Sequence, residues 1–239
     1  MIELAVLFMH HNCTDVVWQN LASFKRWNTP IYPVFDGDGS DSLPDSWRAV
    51  DHGGTRWHVA TNGGRVPDLA WSNSDLAVYA WIMAHAPLAN HYMVAEWDSY
   101  ASCDPHSYLR PVKGYDCSAP LAVRPHQIME WFWFKQLPAL NGFGPYACGL
   151  VPLCGTIVSD RCLRALAGMD VSAKLDCFSE LRMGTMAGAL GYPPVCNPEG
   201  RSVLWQKAPG INYQKRGIYH PVKELLPSVP EACITTLGE

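Results

Sequence analysis

Two carboxylates one residue apart, Glu96 and Asp98 in Glu96-Trp97-Asp98, follow directly on the apolar run at residues 92–95. Such a run reads as a buried strand, and alternation along a strand sends Glu96 and Asp98 to the same side. They stand at its carboxyl end, where ligands bind in open α/β sheets. Oxygen donors converging there suit a hard divalent cation. A cation so held can neutralise a diphosphate and stabilise charge as that diphosphate leaves. Asp98 is the expected direct ligand; Glu96 is expected to bind through water or to meet a sugar or ribose. Acidic residues at strand ends are also ordinary surface features, so the triplet alone decides nothing. A second acidic strand end, Asp36 after the apolar run at 31–35, adds weight to the metal reading.

The elements that must position these groups follow from patterning. Residues 4–9 are apolar without alternation, which suits a central strand buried on both faces. The stretch 12–15 is a plausible cap, and 16–27 reads as an amphipathic helix with Val17, Leu21 and Phe24 on one side. A second strand at 31–35 runs into the acidic loop Asp36-Gly37-Asp38-Gly39, an α/β beginning. Residues 37–72 read as loop-rich with one short strand near 57–60. Ser72 or Asn73 can cap a helix over 75–85, closed before Pro87. Past the acidic triplet, a polar connector reaches about residue 114, and 121–123 reads as a short strand. The aromatic stretch 128–137 reads as helix or buried strand. An irregular segment over 138–156 ends in a strand near 156–158. Ser159 or Asp160 then caps a helix at 161–167, and Ser179-Glu180 begins another that runs to about 190. Short elements follow, with no repeat, low-complexity tract or dividing linker.

Composition narrows the class. With 239 residues, 48% of them apolar, the chain suits one large domain with a substantial core. Charged residues make up only 17%, below the usual quarter. Of the ten Trp, most are expected in the core and some along a ligand cleft. A net charge of −4 without a basic block argues against a general nucleic-acid surface, while leaving room for a local diphosphate pocket. Nine scattered Cys, an odd number with no Cys-x-x-Cys pair, fit neither a disulfide framework nor structural zinc. They read as reduced, buried thiols in an intracellular compartment. Residues 1–9 are too short to cross a bilayer and meet polar His10-His11-Asn12, so no leader is expected. The chain is expected to start where its fold starts, as a trimmed catalytic domain would. A cytoplasmic or otherwise intracellular soluble placement follows, with a membrane-peripheral one left open.

In its order of elements the sequence resembles the GT-A class of nucleotide-sugar glycosyltransferases, over nearly the full chain and through short, degenerate motifs. Residues 4–9 with His10, His11 and Asn12 look like the edge of that class's nucleotide pocket. Asp36 looks like the residue that meets base or ribose. Glu96-Trp97-Asp98 looks like its Asp-x-Asp motif, with Glu in first place. The stretch Gly149 to Gly155, followed by Ser159-Asp160-Arg161, is similar to its Gly-containing segment beside the donor sugar. Ser179-Glu180-Leu181 resembles the helix start that carries the base in inverting members; Glu180 is then the candidate base, with Asp176 four residues upstream. Gly217-Ile218-Tyr219-His220-Pro221-Val222-Lys223 looks like the segment whose His completes the metal shell, which makes His220 a ligand and Lys223 a diphosphate contact. The resemblance implies a single α/β domain over 1–239, Rossmann-like, with a central mostly parallel mixed sheet flanked by helices. Residues 1–98 would be the nucleotide-binding half and 99–239 the acceptor-binding half. It also implies Mn²⁺ or Mg²⁺, a nucleotide-sugar donor with UDP expected ahead of GDP, a saccharide or glycoconjugate acceptor, and transfer with inversion.

The chemistry of each residue bears on these roles. Inverting transfer needs a carboxylate to deprotonate the acceptor hydroxyl. Glu180 at a helix start would be held ionised by free N–H groups, although plain charge complementarity explains it as well. Imidazole binds Mn²⁺ beside carboxylates, and Pro221 biases His220 towards extended backbone. His10 and His11 are adjacent, so one is expected at the nucleotide and the other in the core. Arg161 is a second diphosphate candidate. Asp75 is a candidate on the donor side, and Trp131, Trp133 and Trp205 are candidates for stacking on the acceptor. The rival functions are a sugar-phosphate nucleotidyltransferase, disfavoured because the loop after the first strand lacks Gly, Lys and Arg, and a non-catalytic nucleotide- or carbohydrate-binding module. Dehydrogenase, zinc-hydrolase and serine-hydrolase signatures are missing.

Overall fold

Strand β1 (Ile2–His10) is the spine of the molecule. Its Leu4, Val6 and Phe8 enter one core cluster and its Ala5, Leu7 and Met9 another, which is why the run shows no polar alternation. A computed structural model describes residues 2–11, 14–35, 57–58, 73–128, 130–169, 176–203, 213 and 215–226. Helix α1 (Asp15–Lys25) returns the chain with Val17, Leu21 and Phe24 buried, as the periodicity predicts. Strands β2 (Ile31–Phe35), β3 (Trp57–His58) and β4 (Ala89–Glu96) follow, with helix α2 (Asp75–Ala84) before β4. Next come β5 (Tyr100–Ala101), the short α3 (His106–Leu109), β6 (Cys117–Ala119) and β7 (Ile157–Ser159). Helices α4 (Asp160–Ala167) and α5 (Ser179–Ala189), then β8 (Val195–Cys196) and β9 (Ile218–Tyr219), complete the set.

Seven strands form one sheet in the order β3-β2-β1-β4-β7-β6-β8. The first four are mutually parallel, β7 is antiparallel to both neighbours, and β6 pairs parallel with β8. Helices α2, α4 and α5 pack on one face; α1 and α3 pack on the other. The architecture is a single α/β domain with a mixed, mostly parallel, Rossmann-like sheet. Because β1, β2 and β4 run in register, His10, Phe35 and Glu96 finish at one edge.

Two segments differ from expectation. The strand expected at 121–123 lies instead at Cys117–Ala119, and Val123 makes only an isolated bridge to Gly149. Pro120 lacks the N–H that would continue the ladder. The aromatic stretch is neither α-helix nor buried strand: Phe132–Leu140 is a 3-10 helix with Pro138 inside it. Its rings pair with each other and with their neighbours, Trp131 edge-on to Phe134 at 5.0 Å and Trp133 stacked on Phe178 at 4.5 Å. Of the described cysteines, six are buried and Cys196 is exposed, all unbridged.

Candidate metal centre

Strand β4 stops at Glu96, and the chain turns at once. The Ser99 N–H donates to the Glu96 carbonyl at 2.8 Å, and the Ser99 hydroxyl accepts from the Glu96 N–H at 3.0 Å. Asp98 therefore sits in a turn, beyond the strand on which alternation was to place it. The turn, rather than the pleat, brings the two carboxylates together. Strand β9 then delivers the third group. It pairs antiparallel with β5, Tyr100 opposite Tyr219 and Ala101 opposite Ile218, so the next residue, His220, lands over the turn. The Val222 N–H donates to the Asp98 carbonyl at 2.6 Å and fixes the register.

His220 Nε2 lies 3.1 Å from Glu96 Oε2 and 3.2 Å from Asp98 Oδ1. One donor atom from each of the three residues lies within 4.8 Å of the others. Lys223 Nζ is 3.7 Å from Asp98 Oδ2 and 5.5 Å from the Trp97 ring centre. Burial works against a charged imidazole, but the Asp98 and Glu96 carboxylates outweigh it and raise the His220 pKa above the ordinary histidine value. A protonated ring thus bridges the two carboxylates, occupying the place of a cation. Two carboxylates and an imidazole are a donor set for a hard or borderline divalent ion, so the residues fit the expected metal. Beneath them, Cys154 Sγ is 3.0 Å from Ser99 Oγ, and burial pushes that thiol up to about 11. It is a neutral packing group, not a thiolate ligand. Nothing in the sequence marks Ser99, and Cys154 stands out there only as part of the stretch Gly149 to Gly155.

The triad opens on a cleft of about 370 Å³ that is also lined by Lys223, Phe178 and Glu180. Glu180 stands in the first turn of α5. Gly184 lets that helix approach: a Cβ there would lie 2.6 Å from the Cys148 carbonyl oxygen.

No protein-family model matches the chain, and no curated protein aligns with it significantly.

The likeness to the GT-A class accordingly rests on architecture and on the candidate triad, with which that fold is consistent. Glu96, Asp98, His220, Lys223 and Glu180 share one cleft. Asp176 is exposed and outside the residues lining it. Asp75, expected on the donor side, is fully buried and bonded by Arg182, because a carboxylate shut in the core needs a cationic partner. His10 is buried with its ring 6.5 Å from Phe8, whereas His11 is exposed and edge-on to Trp97 at 5.4 Å. The core-facing member of the pair is therefore His10. Arg161 is held by Asp116 at 2.6 and 2.5 Å. It follows Ser159, which pairs with His91 towards the opposite end of β4 from Glu96. Asn12, Asp36 and Trp205 lie outside the described residues. Among those that are described, no helix is long and apolar enough to cross a membrane.

Proposed function

We propose that the chain is a metal-dependent glycosyltransferase that moves a sugar from a nucleoside-diphosphate sugar to a hydroxyl of a saccharide or glycoconjugate, with inversion. The observation that carries this is the shared cleft: a carboxylate at a helix start, Glu180, faces the same space as the Glu96–Asp98–His220 cluster and Lys223. An acid–base group and a cation site on one cleft are the two requirements of such a transfer.

In this mechanism Glu96, Asp98 and His220 would hold Mn²⁺ or Mg²⁺. The bound ion supplies positive charge for the departing diphosphate. Lys223, on its flexible stem, meets the diphosphate oxygens as a second point charge. Glu180 takes the proton of the acceptor hydroxyl; its place in the first turn of α5 sets it at the positive end of the helix dipole, with Phe178 and Leu153 on the same cleft. Residues 1–98 receive the nucleotide, UDP ahead of GDP, with Asn12 and Asp36 towards ribose and base. Residues 99–239 receive the acceptor.

Thermal-shift titration with UDP, GDP and their sugars, with and without Mn²⁺, tests this. One nucleoside diphosphate together with Mn²⁺ raises the melting temperature beyond either alone, as preferential binding to the folded form requires, with about 2.7 kcal/mol of stabilisation at a hundredfold excess over Kd. If no nucleotide adds to the effect of Mn²⁺, the glycosyltransferase assignment fails.

A further inference from the structure

Helix α1 carries a buried polar stripe, Gln19, Asn20 and Ser23, on a helix otherwise packed through Val17, Leu21 and Phe24. Asn20 is fully buried. Its Nδ2 donates to the Trp97 carbonyl at 3.1 Å and to the Val222 carbonyl at 2.9 Å. One amide thus ties the turn bearing Asp98 to the segment just past His220. Gln19 continues the clamp outward: its Nε2 donates to the Glu224 carbonyl at 3.3 Å, and its Oε1 accepts from the Leu226 N–H at 2.6 Å. Ser23 Oγ accepts from the Ala101 N–H at 2.8 Å, and Arg26 Nη2 donates to the Ala101 carbonyl at 2.6 Å. Positions 19, 20, 23 and 26 share one helical face. Every one of them contacts either the β5 strand that carries β9 or the segment running on from it.

We infer that Asn20, with Gln19 behind it, is a positioning residue for the metal centre, holding the His220 segment against the Glu96–Asp98 turn so that the imidazole completes the donor set. The inference rests on the metal reading of that cluster. Its physical basis is that a ligand delivered by a separate segment binds only as well as that segment is docked. Groups that orient a ligand from behind typically govern metal affinity by roughly 10- to 100-fold.

The test is Mn²⁺ titration of the full chain as wild type, Asn20→Ala, His220→Ala and the double variant, with the spin-echo signal of a coordinated imidazole nitrogen as a second readout. Asn20→Ala is expected to weaken Mn²⁺ roughly tenfold and to shrink the nitrogen signal in protein that still melts cooperatively. Adding His220→Ala to Asn20→Ala is expected to cost less than it does alone, because the ring is already released. Wild-type affinity and nitrogen signal in Asn20→Ala overturn the inference, and so do two losses that multiply. Should Asn20→Ala fail to fold, Gln19→Ala reads the outer half of the clamp, with an expected loss of about threefold, the worth of a hydrogen bond; unchanged affinity there overturns the inference equally. Wild-type protein that binds no Mn²⁺ fails at a different point: it overturns the metal reading itself, and the inference with it.

Discussion

Asp75 and Asp98 are both buried aspartates beside a cationic side chain, and only one of them belongs to a site. Asp75 is 0% exposed, and both of its oxygens are taken by Arg182. That guanidinium is satisfied in turn by the Asn73 side chain at 2.8 Å and the Cys177 carbonyl at 2.7 Å. One negative charge meets one positive charge, every polar atom of the pair has work inside the protein, and nothing faces the cleft. Asp98 is 4% exposed, hardly more open, but it shares a single imidazole with Glu96. Glu96, Asp98 and His220 are three groups that could hold a metal ion, with Lys223 3.7 Å from Asp98, and the cluster lines a cavity. Access and donor set, more than burial, separate a structural ion pair from a candidate binding centre. The buried pair still serves the open one, because Arg182 fixes the helix that carries Glu180.

The contrast can be broken most easily at Asp75. Asp75→Ala strands the buried Arg182 and is expected to cost about 3–5 kcal/mol, a fall in melting temperature of roughly 6–20 °C for a chain of this size, while molecules that remain folded bind Mn²⁺ as before. A loss under about 1 kcal/mol in denaturant unfolding would put the two aspartates in the same category. Asp98→Asn should do the reverse. Stability falls by less than in Asp75→Ala, because His220 keeps Glu96 as a partner, and Mn²⁺ affinity drops on the order of a hundredfold by calorimetry, since a neutral amide replaces a charged oxygen ligand. The smallest effect sharpens the distinction through pH. With its pKa raised by Asp98 and Glu96 against the effect of burial, His220 must surrender a proton to bind metal, so apparent Mn²⁺ affinity should climb by up to about tenfold per unit between pH 6 and 8. In metal-free protein the sign is opposite: a raised histidine pKa contributes stability that is complete below about 6.5 and drains away as pH rises towards the folded value. His220→Asn should abolish both trends. Persistence of either in that variant would assign it to another group.

Local chemistry made much of this legible. The apolar run of β1 announced a strand buried on both faces, the bounds of β2 coincide with its pattern, and the helix start at Ser159 is capped as its residue type suggests, its side chain accepting from the Cys162 N–H. The Glu96-Trp97-Asp98 triplet stood out because acids following an apolar run are conspicuous. What was hidden depended on distant chain. Asp75 and Asp98 look alike in sequence, and only Arg182, more than a hundred positions away from Asp75, distinguishes them. Gln19 and Asn20 look like the solvent face of an amphipathic helix until segment 222–226 is laid across them. His10 and His11 show the same limit: alternation predicts that they part, but which one turns inward depends on the packing around Phe8.

Strand β9 belongs to a two-stranded ribbon with β5, separate from the seven-stranded sheet. Of the candidate triad, Glu96 is therefore set by the main sheet, Asp98 by the turn that leaves it, and His220 by the ribbon. Such a division would make a coordination sphere built here modular. Exchanging the residue at position 220 would alter the hardness of the donor set from a strand that lies outside the central sheet.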